Sequence, residues 1–584
     1  MATRLRASIL AAFAVAALTS AFLTAEIDQR REAAAPPPGT IGQPGGTLTF
    51  AVRSDPKTFN PVVEADGPSR EVIWRMHGDL IHIDRDTQRT VPALASSWTM
   101  SHDGLHYTIP LRRGIRFSDG HPFDADDVLF SFQVYLDEAV QSPHRDLLMV
   151  AGKPIVVRKI DQYTVGIDLN APYAAAERLF DTIAMLPRHL LESQWKAGRL
   201  AQAWGVATAP AEIAGLGPFR LERYRPGEDV ILTRNPYYWK TDAAGTPLPY
   251  LDRLTVVFAP EDVQVARIGT GEIDVINRVA ARNVAALGRH QAARNYVVRD
   301  LGPGLEYTFL FFNQNEPRNE ELRTKQRWFG DERFRRAVSL AIDRDGVVRL
   351  VYSGRATALW GHVTPGNRLW ANEAIPRTPR SIAGAAAALE RAGFTRRGDA
   401  LVDSAGQPVA FSILVAAGNA SLLDTATIIQ DDLRQLGIRA QIAPLEFGAL
   451  VDRVLQTHDY DACLLPLAGG DGDPNSEMNV WLSSGVTHVW RPRQATPATQ
   501  WEAEIDQLMK QQLITLDPAA RKRLYDRVQA IVADKLPIIP LVSPDVVVAQ
   551  RAGLRNFRPA VLDHYTLWNV DELFWDSAER RSRR

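Results

Sequence analysis

The residues with the clearest chemical capacity lie in one loop, Ala468-Gly469-Gly470-Asp471-Gly472-Asp473-Pro474-Asn475-Ser476-Glu477. Glycines let a backbone come close to a ligand, and the carboxylates can receive a cation or an amine. Two other readings stand beside that one. Asp471, Asp473 and Asn475 have the alternating spacing of a calcium loop, but Ser476 stands where the turn glycine belongs and Leu482 occupies the last ligand position. A plain polar turn would need no ligand at all.

Catalytic signatures are missing from the sequence. There is no His-Glu-x-x-His zinc motif, no Gly-x-Ser-x-Gly elbow and no phosphate loop ending in Gly-Lys-Ser or Gly-Lys-Thr. The pairs His77/His82 and His102/His106 lack neighbouring ligands in sequence and read as structural or surface histidines. Cys463 is the only cysteine, so neither an internal disulfide nor an all-cysteine zinc site can form, and its apolar surroundings make it a buried thiol. No cofactor and no metal is called for.

The elements that must hold the loop are legible. Val409 to Val415 reads as a strand, Leu422 to Leu436 as a helix stopped by Gly437, and Ile438 to Ile442 as a strand. Phe447 to Leu455 then reads as a helix and Tyr460 to Leu467 as a strand. Alternation at this length implies βαβ units and a parallel sheet. In such sheets ligands sit beyond the carboxyl ends of strands, which is where the glycine loop begins.

A chain of 584 residues exceeds one hydrophobic core and suggests two to four structural domains. Lys plus Arg 67 against Asp plus Glu 68 gives a net charge of -1, so the overall balance calls for neither nucleic acid nor an anionic membrane surface. Arg4 and Arg6 precede an apolar run from Ala7 to Leu18 and small residues to Ala21, the layout of a secretory signal peptide; an uncleaved anchor reaching Ala25 is the alternative. No cysteine lies there to take a lipid. Glu26 to Gly46, with Pro36-Pro37-Pro38, reads as an extended linker.

Further local signals come in a fixed order. Val91-Pro-Ala-Leu-Ala-Ser-Ser-Trp98 leads to an Asp103-Gly104 turn, then Tyr107 to Phe117, then Asp119-Gly120 and a helix from about Asp127 to Leu136, capped by Asp124 or Asp126. Val72 to Ile81 reads as helical. Asn235-Pro236 ends an apolar strand, and the Tyr237-Tyr238-Trp239 run after it reads as core. Arg333 to Arg344 reads as a helix with Phe334, Val338 and Ile342 inward and its arginines on a solvated face.

The order and wording of these segments resemble the solute-binding proteins of peptide-type ABC importers, the class that contains dipeptide, oligopeptide and nickel binding proteins. The resemblance implies an α/β, two-lobed periplasmic-binding-protein-like fold of the class II type with an extra subdomain and mixed sheets flanked by helices. It divides the chain into a signal peptide at 1–25, a linker at 26–46, lobe I at 47–85, 205–305 and 540–575, a second domain packed on it at 86–204, and lobe II at 306–539. The chain would cross between lobes near Pro303 to Phe309 and again near Pro537 to Val542.

It also implies a function: an exported, periplasmic, monomeric receptor that closes over a small solute, a peptide or similar, and delivers it to an ABC permease in the membrane. In peptide-binding relatives an aspartate four residues before the loop proline pairs with the peptide's α-amine. That position is Gly470 here, with Asp471 one residue later, so either Asp471 substitutes or the ligand is held otherwise. Main-chain pairing with an extended ligand would use Asp55, Lys57 and Thr58 on one lobe and Gly469 to Gly472 on the other. Trp360, Phe447 and Trp481 are candidates for the cavity wall. The alternatives are a non-peptide solute such as an oligosaccharide, an opine-like compound or a metal chelate, and a secreted hydrolase.

Overall fold

The computed structural model describes residues 40–576, apart from Thr182, Arg318 and His564. The expected signal peptide and most of the expected linker lie outside the described residues. Thr40 to Gly46, the end of that linker, packs on the folded body: Asn556 Nδ2 donates to the Thr40 carbonyl, and Gly46 N–H donates to Asp252 Oδ2 at 3.0 Å.

A twelve-stranded mixed sheet organises the molecule. Its strands run in the order Phe219–Arg225, Asp229–Arg234, Arg253–Phe258, Thr47–Val52, Val275–Ile276, Ile538–Arg551, Tyr307–Phe312, Ala462–Leu467, Ala410–Ala416 and Arg439–Leu445. Tyr296–Pro303 and Ala356–Ala358 also pair with the fourteen-residue strand Ile538–Arg551. That long strand serves two neighbourhoods. Its first part pairs with Tyr307–Phe312, and its last part, from Asp545, pairs with Tyr296–Pro303.

Between the two parts stands Ser543-Pro544. Here Ala356–Ala358 pairs with Val542 to Pro544, and Pro544, having no N–H, gives only its carbonyl. The register also shifts between Thr308 and Phe309 on one partner and between Asp300 and Pro303 on the other. The two crossing strands are tied together at Gly304: its N–H donates to the Pro544 carbonyl at 3.0 Å, and its own carbonyl accepts from Thr364 Oγ1 at 2.6 Å and Ser543 Oγ at 3.1 Å. Gly366 lies so close that a Cβ there would sit 2.2 Å from the Pro303 carbonyl oxygen.

The apolar cores respect this division. One large cluster gathers Leu48, Tyr107, Phe132, Leu254 and Trp575, so the 99–168 region and the first half of the large sheet share one interior. Two others, built around Phe312, Phe411 and Ile429 and around Phe309, Trp481 and Val528, lie within residues 307–541. Tyr307–Phe312 is buried along its whole length, which is why apolar side chains fill all its positions but Thr308 rather than alternating.

The βαβ expectation holds. Ala410–Ala416 is parallel to both Arg439–Leu445 and Ala462–Leu467, and the helix Ala420–Gln435 is capped by Asn419 and followed by Gly437 at φ 81°. The second helix is shorter than expected, Phe447–Asp452, and passes into a π turn at Arg453–Thr457. The Asp103-Gly104 hairpin forms, joining Thr99–Met100 to His106–Pro110. Asp124 caps the following helix, Ala125–Leu136, in a capping box with Asp127.

Two expectations are corrected. The helix placed at Val72 to Ile81 runs instead from Gly67 to Met76, because Asp66 accepts from Ser69 N–H and Pro68 suits the first turn, while Ile81–Ile83 is a strand. The arginines of Glu332–Ala341 are not all solvated. Arg335 is buried and donates to the carbonyls of Phe329, Lys535 and Leu536, and Arg344 beyond it donates to those of Leu359 and Pro540. These guanidiniums satisfy carbonyls at helix ends and beside a strand, a role periodicity does not reveal.

Gly366→Ala is expected to destabilise the protein by about 2–4 kcal/mol, because the backbone at the crossing must move to admit the methyl group. A denaturant midpoint equal to that of the parent protein would show that the crossing yields without cost.

Candidate functional site at the glycine loop

Tyr307 pairs with Leu467, so the strand Ala462–Leu467 delivers the glycine loop beside the crossover at Leu305. The approach is close: a Cβ on Gly469 would lie 2.8 Å from the Leu305 carbonyl oxygen. Gly470 and Gly472 take φ values of 54° and 83°, and Gly472 N–H closes the turn on the Gly469 carbonyl at 2.9 Å.

Two of the loop's acids, Asp473 and Asp471, are engaged in ion pairs. Asp473 caps the short turn Pro474–Glu477 and takes a two-pronged ion pair from Arg521, at 2.8 and 2.6 Å. Burial would raise its carboxyl, but Arg521 holds it below the usual carboxylate range. Asn475 Oδ1 accepts from Gln512 Nε2 at 2.7 Å. The calcium spacing therefore does not assemble into a ligand set.

Asp471 reaches across the cleft. Its Oδ2 accepts from Arg178 Nε at 2.5 Å, its backbone carbonyl accepts from Arg178 Nη2, and its Oδ1 accepts from Asp473 N–H at 3.0 Å. Arg178 sits on the short helix Ala176–Phe180 of the first body, and its remaining arm donates to the Gln88 carbonyl. Burial alone would lower the Arg178 pKa; Asp471 and Asp473 outweigh it and raise it. Gln88 Nε2 donates to the Gly366 carbonyl at 2.9 Å, and Ala174 N–H to the Leu513 carbonyl at 2.7 Å. In this conformation the two bodies are latched.

Under the loop lies a small pocket of about 20 Å³, lined by Gly469, Gly472, Asn367, His362 and Glu477 among others. Glu477 accepts from Trp481 Nε1 at 2.8 Å, and among the described residues no cationic side chain pairs with it. Desolvation pushes its carboxyl up to about 7. Burial drops the His362 pKa to about 3; its Nε2 meets Tyr525 Oη at 3.1 Å, while Nδ1 and Asn367 Oδ1 have no partner among the described residues.

The other candidates are dispersed. Asp55 accepts from Tyr224 Oη and Gly227 N–H, both at 2.8 Å, and so anchors a hairpin. Lys57 is exposed, its N–H donating to Ser69 Oγ, and Thr58 Oγ1 faces the Trp204 carbonyl. Trp360 Nε1 donates to the Thr378 carbonyl beneath the Arg344 guanidinium. Phe447 is an exposed first-turn residue, 59% accessible. Trp481 is 1% exposed, a core residue rather than a cavity wall, because its indole is consumed between His362 and Glu477.

A larger cavity, about 160 Å³, is lined by Trp74, His77, Tyr238, Trp239, Lys240 and Trp568 among others. The aromatic run expected as core thus borders open space, and Tyr237 is exposed. None of its lining residues comes from 306–539, so no movement between the two bodies opens or closes it. Its charges are paired, Lys240 with Asp571 and His82 with Asp79 and Asp181. His82, which sequence left without neighbouring ligands, gains both carboxylates by folding, but Asp181 is also held by Arg85 and Ile83 N–H.

Arg178, Gln88, His362, Asn367 and Glu477 were not singled out from sequence. Glu477 closes the quoted loop, but nothing local separates it from a solvated glutamate; the others carry no motif.

Two bodies joined by a shared strand, with a glycine loop at their junction, define a two-lobed solute receptor of the periplasmic-binding-protein kind. The family described as "Bacterial extracellular solute-binding proteins, family 5 Middle" matches residues 89–488, and the chain belongs to it. It is 28% identical to a probable ABC transporter-binding protein of Deinococcus radiodurans, over 74% of this chain and 75% of that one. It is 26% identical to di/tripeptide-binding protein 2 of Pseudomonas aeruginosa, over 88% and 92%. Its fold is similar to the crystal structure of the ABC transporter substrate-binding protein CtaP from Listeria monocytogenes, with a TM-score of 0.74 at 22% identity, covering 91% of this chain and all of that one.

Arg178→Gln is expected to favour the open form, giving a larger radius of gyration in solution scattering, with a coupling to Asp471→Asn of about 1 kcal/mol in a double-mutant cycle. Additive single effects would show that the pair does not hold the lobes. A second expectation concerns acid. The Glu477 pKa is higher folded, about 7, than its ordinary 4.5, so its stabilising contribution is full below 4.5 and is lost as pH rises through 7. The facing groups are neutral His362, Tyr307, Tyr525 and the Asp473–Arg521 pair. Glu477→Gln should therefore match the parent near about pH 5 and exceed it in thermal midpoint at about pH 8. Parallel pH profiles would contradict this.

Proposed function

We propose that this protein is the exported receptor of an ABC import system, taking a small solute of the peptide class between its lobes and presenting the closed form to a membrane permease. It acts as a monomer, delivered by the signal peptide read at Arg4 to Ala21. The observation that carries this reading is the shared strand Ile538–Arg551, which pairs with Tyr307–Phe312 of one body and Tyr296–Pro303 of the other and changes partner near Pro544. Among the described residues the chain passes there through Ile538–Arg551 and the connection from Pro303 to Tyr307, so the lobes can rotate without either core being broken. A solute that touches both lobes when shut stabilises the shut form, and the permease reads that population. Among the described residues no helix is long and apolar enough to cross a membrane, in keeping with a receptor separate from its permease.

A second reading, a non-peptide solute in the same cleft, is favoured by one observation. Gly470 stands where peptide-binding relatives carry the amine-pairing aspartate, and Asp471 is spent on Arg178.

Calorimetric titration with a pool of di- to pentapeptides against a panel of oligosaccharides separates the two. Peptide binding accompanied by a smaller radius of gyration is the expected result. Saturable sugar binding with no heat from any peptide would overturn the peptide reading and leave the receptor fold in place.

A further inference from the structure

We propose that the tryptophan-lined cavity of the first body is a second ligand site, which takes a small aromatic carboxylic acid with its ring against the indoles of Trp74, Trp239 and Trp568 and its carboxylate on Arg112. The solute cleft has no part in it, so the inference goes beyond the receptor reading above and does not rest on it.

The walls give the first argument. Trp74, Trp239 and Trp568 are half-buried and line one space of about 160 Å³ together with Tyr238, Leu94 and Leu216. A cavity of about 150 Å³ holds benzene, so one six-membered ring with a short substituent fits here and a length of peptide does not. Each indole carries a cation over its ring: Arg85 at 5.8 Å from the Trp74 centroid, Arg112 at 4.7 Å from that of Trp239 and Arg558 at 4.9 Å from that of Trp568. An indole has two faces. A cation over one leaves the other for a flat ring, and the positive charge behind it favours a partner that is electron-rich or anionic. His77 in the same wall is 7% exposed, and burial drops its pKa to about 4. Neither of its ring nitrogens has a partner among the described residues, a condition that a finished core seldom leaves.

The charge balance gives the second. Arg75, His82, Arg85 and Lys240 line the cavity, and each has a carboxylate: Glu71, Asp79, Asp181 and Asp571 in turn. Burial would lower the His82 pKa, but Asp79 and Asp181 raise it to about 9, so this side chain counts as a cation. Arg112 beside the cavity has no carboxylate among the described residues. Its Nε donates to the carbonyl of Ala93, a lining residue, at 2.7 Å, and neither Nη group donates to any described residue. Burial lowers its pKa, and no acid acts to raise it. A carboxylate supplies the two acceptor oxygens that match a guanidinium fork. A neutral ring would leave this charge unanswered, and a cationic one would meet its own sign. None of the lining comes from 306–539, so the walls persist whether the lobes are open or shut, and the occupant is not enclosed with the solute.

The test is calorimetric titration of the full-length protein with sodium benzoate, with benzamide, which keeps the ring and lacks the charge, and with sodium acetate, which keeps the charge and lacks the ring. Benzoate should bind at least about tenfold more tightly than either. Arg112→Gln should bring benzoate to within about twofold of benzamide, whereas Arg112→Lys should keep a preference of about threefold or more. Trp239→Leu should weaken both ring compounds by about tenfold. The fold of each variant is checked by its thermal midpoint without ligand, and Arg112→Gln decides if Trp239→Leu does not fold. Saturating benzoate should raise the parent's midpoint and leave its radius of gyration in solution scattering unchanged. Equal binding of the three compounds, no binding at millimolar concentration, an Arg112→Gln variant that keeps the full preference, or a radius that shrinks with benzoate overturns the proposal. Each of these outcomes leaves the receptor reading standing.

Discussion

Everything in this molecule depends on how one strand is shared. Ile538–Arg551 is the return path of the chain, and its backbone groups must be paired along fourteen buried or half-buried residues. No single neighbouring strand supplies all the partners. Tyr307–Phe312 takes one end and Tyr296–Pro303 the other, with Ala356–Ala358 paired to Val542 to Pro544 where the partner changes. Gly304 absorbs the polar groups freed at the crossing by bonding to Pro544, Thr364 and Ser543. The junction is thus satisfied in its hydrogen bonds yet thin in covalent connections, which is the physical requirement for two rigid bodies that rotate.

That constraint also decides where ligand chemistry can lie. A cavity confined to one body keeps its shape when the lobes move, and the Trp-lined space of about 160 Å³ is of this kind. The glycine loop leaves its strand at the crossover, so its contacts change with the hinge. Its electrostatics are arranged accordingly. Asp473 is neutralised inside its own lobe by Arg521, Asp471 across the cleft by Arg178, and Glu477 by neither. One acid is fixed within its lobe, one is paired across the cleft, and one is buried without a cation among the described residues.

Several elements were legible before folding because their causes are local. The strand Ala410–Ala416, the helix Ala420–Gln435 and the stop at Gly437 follow from apolar spacing and a residue that accepts positive φ. The cap at Asp124 and the turn at Gly104 are likewise short-range. The helix Gly67–Met76 was placed five residues late, although Asp66 is a good N-cap and Pro68 suits the first turn. Arg335 was placed in solvent because periodicity assigns charged residues outward, while its burial answers carbonyls two hundred positions away.

The sequence by itself determined the family, the βαβ core of the second lobe and the place of the glycine loop at a strand end. Those are properties of order and spacing within short windows. Tertiary structure alone decided which acids are free. Arg178 lies 293 positions from Asp471, Arg521 lies 48 from Asp473, and Asn367 and His362 reach Glu477's pocket from a separate segment. A carboxylate's availability is set by the charges and hydrogen-bond donors within a few ångströms, and those neighbours are chosen by the fold.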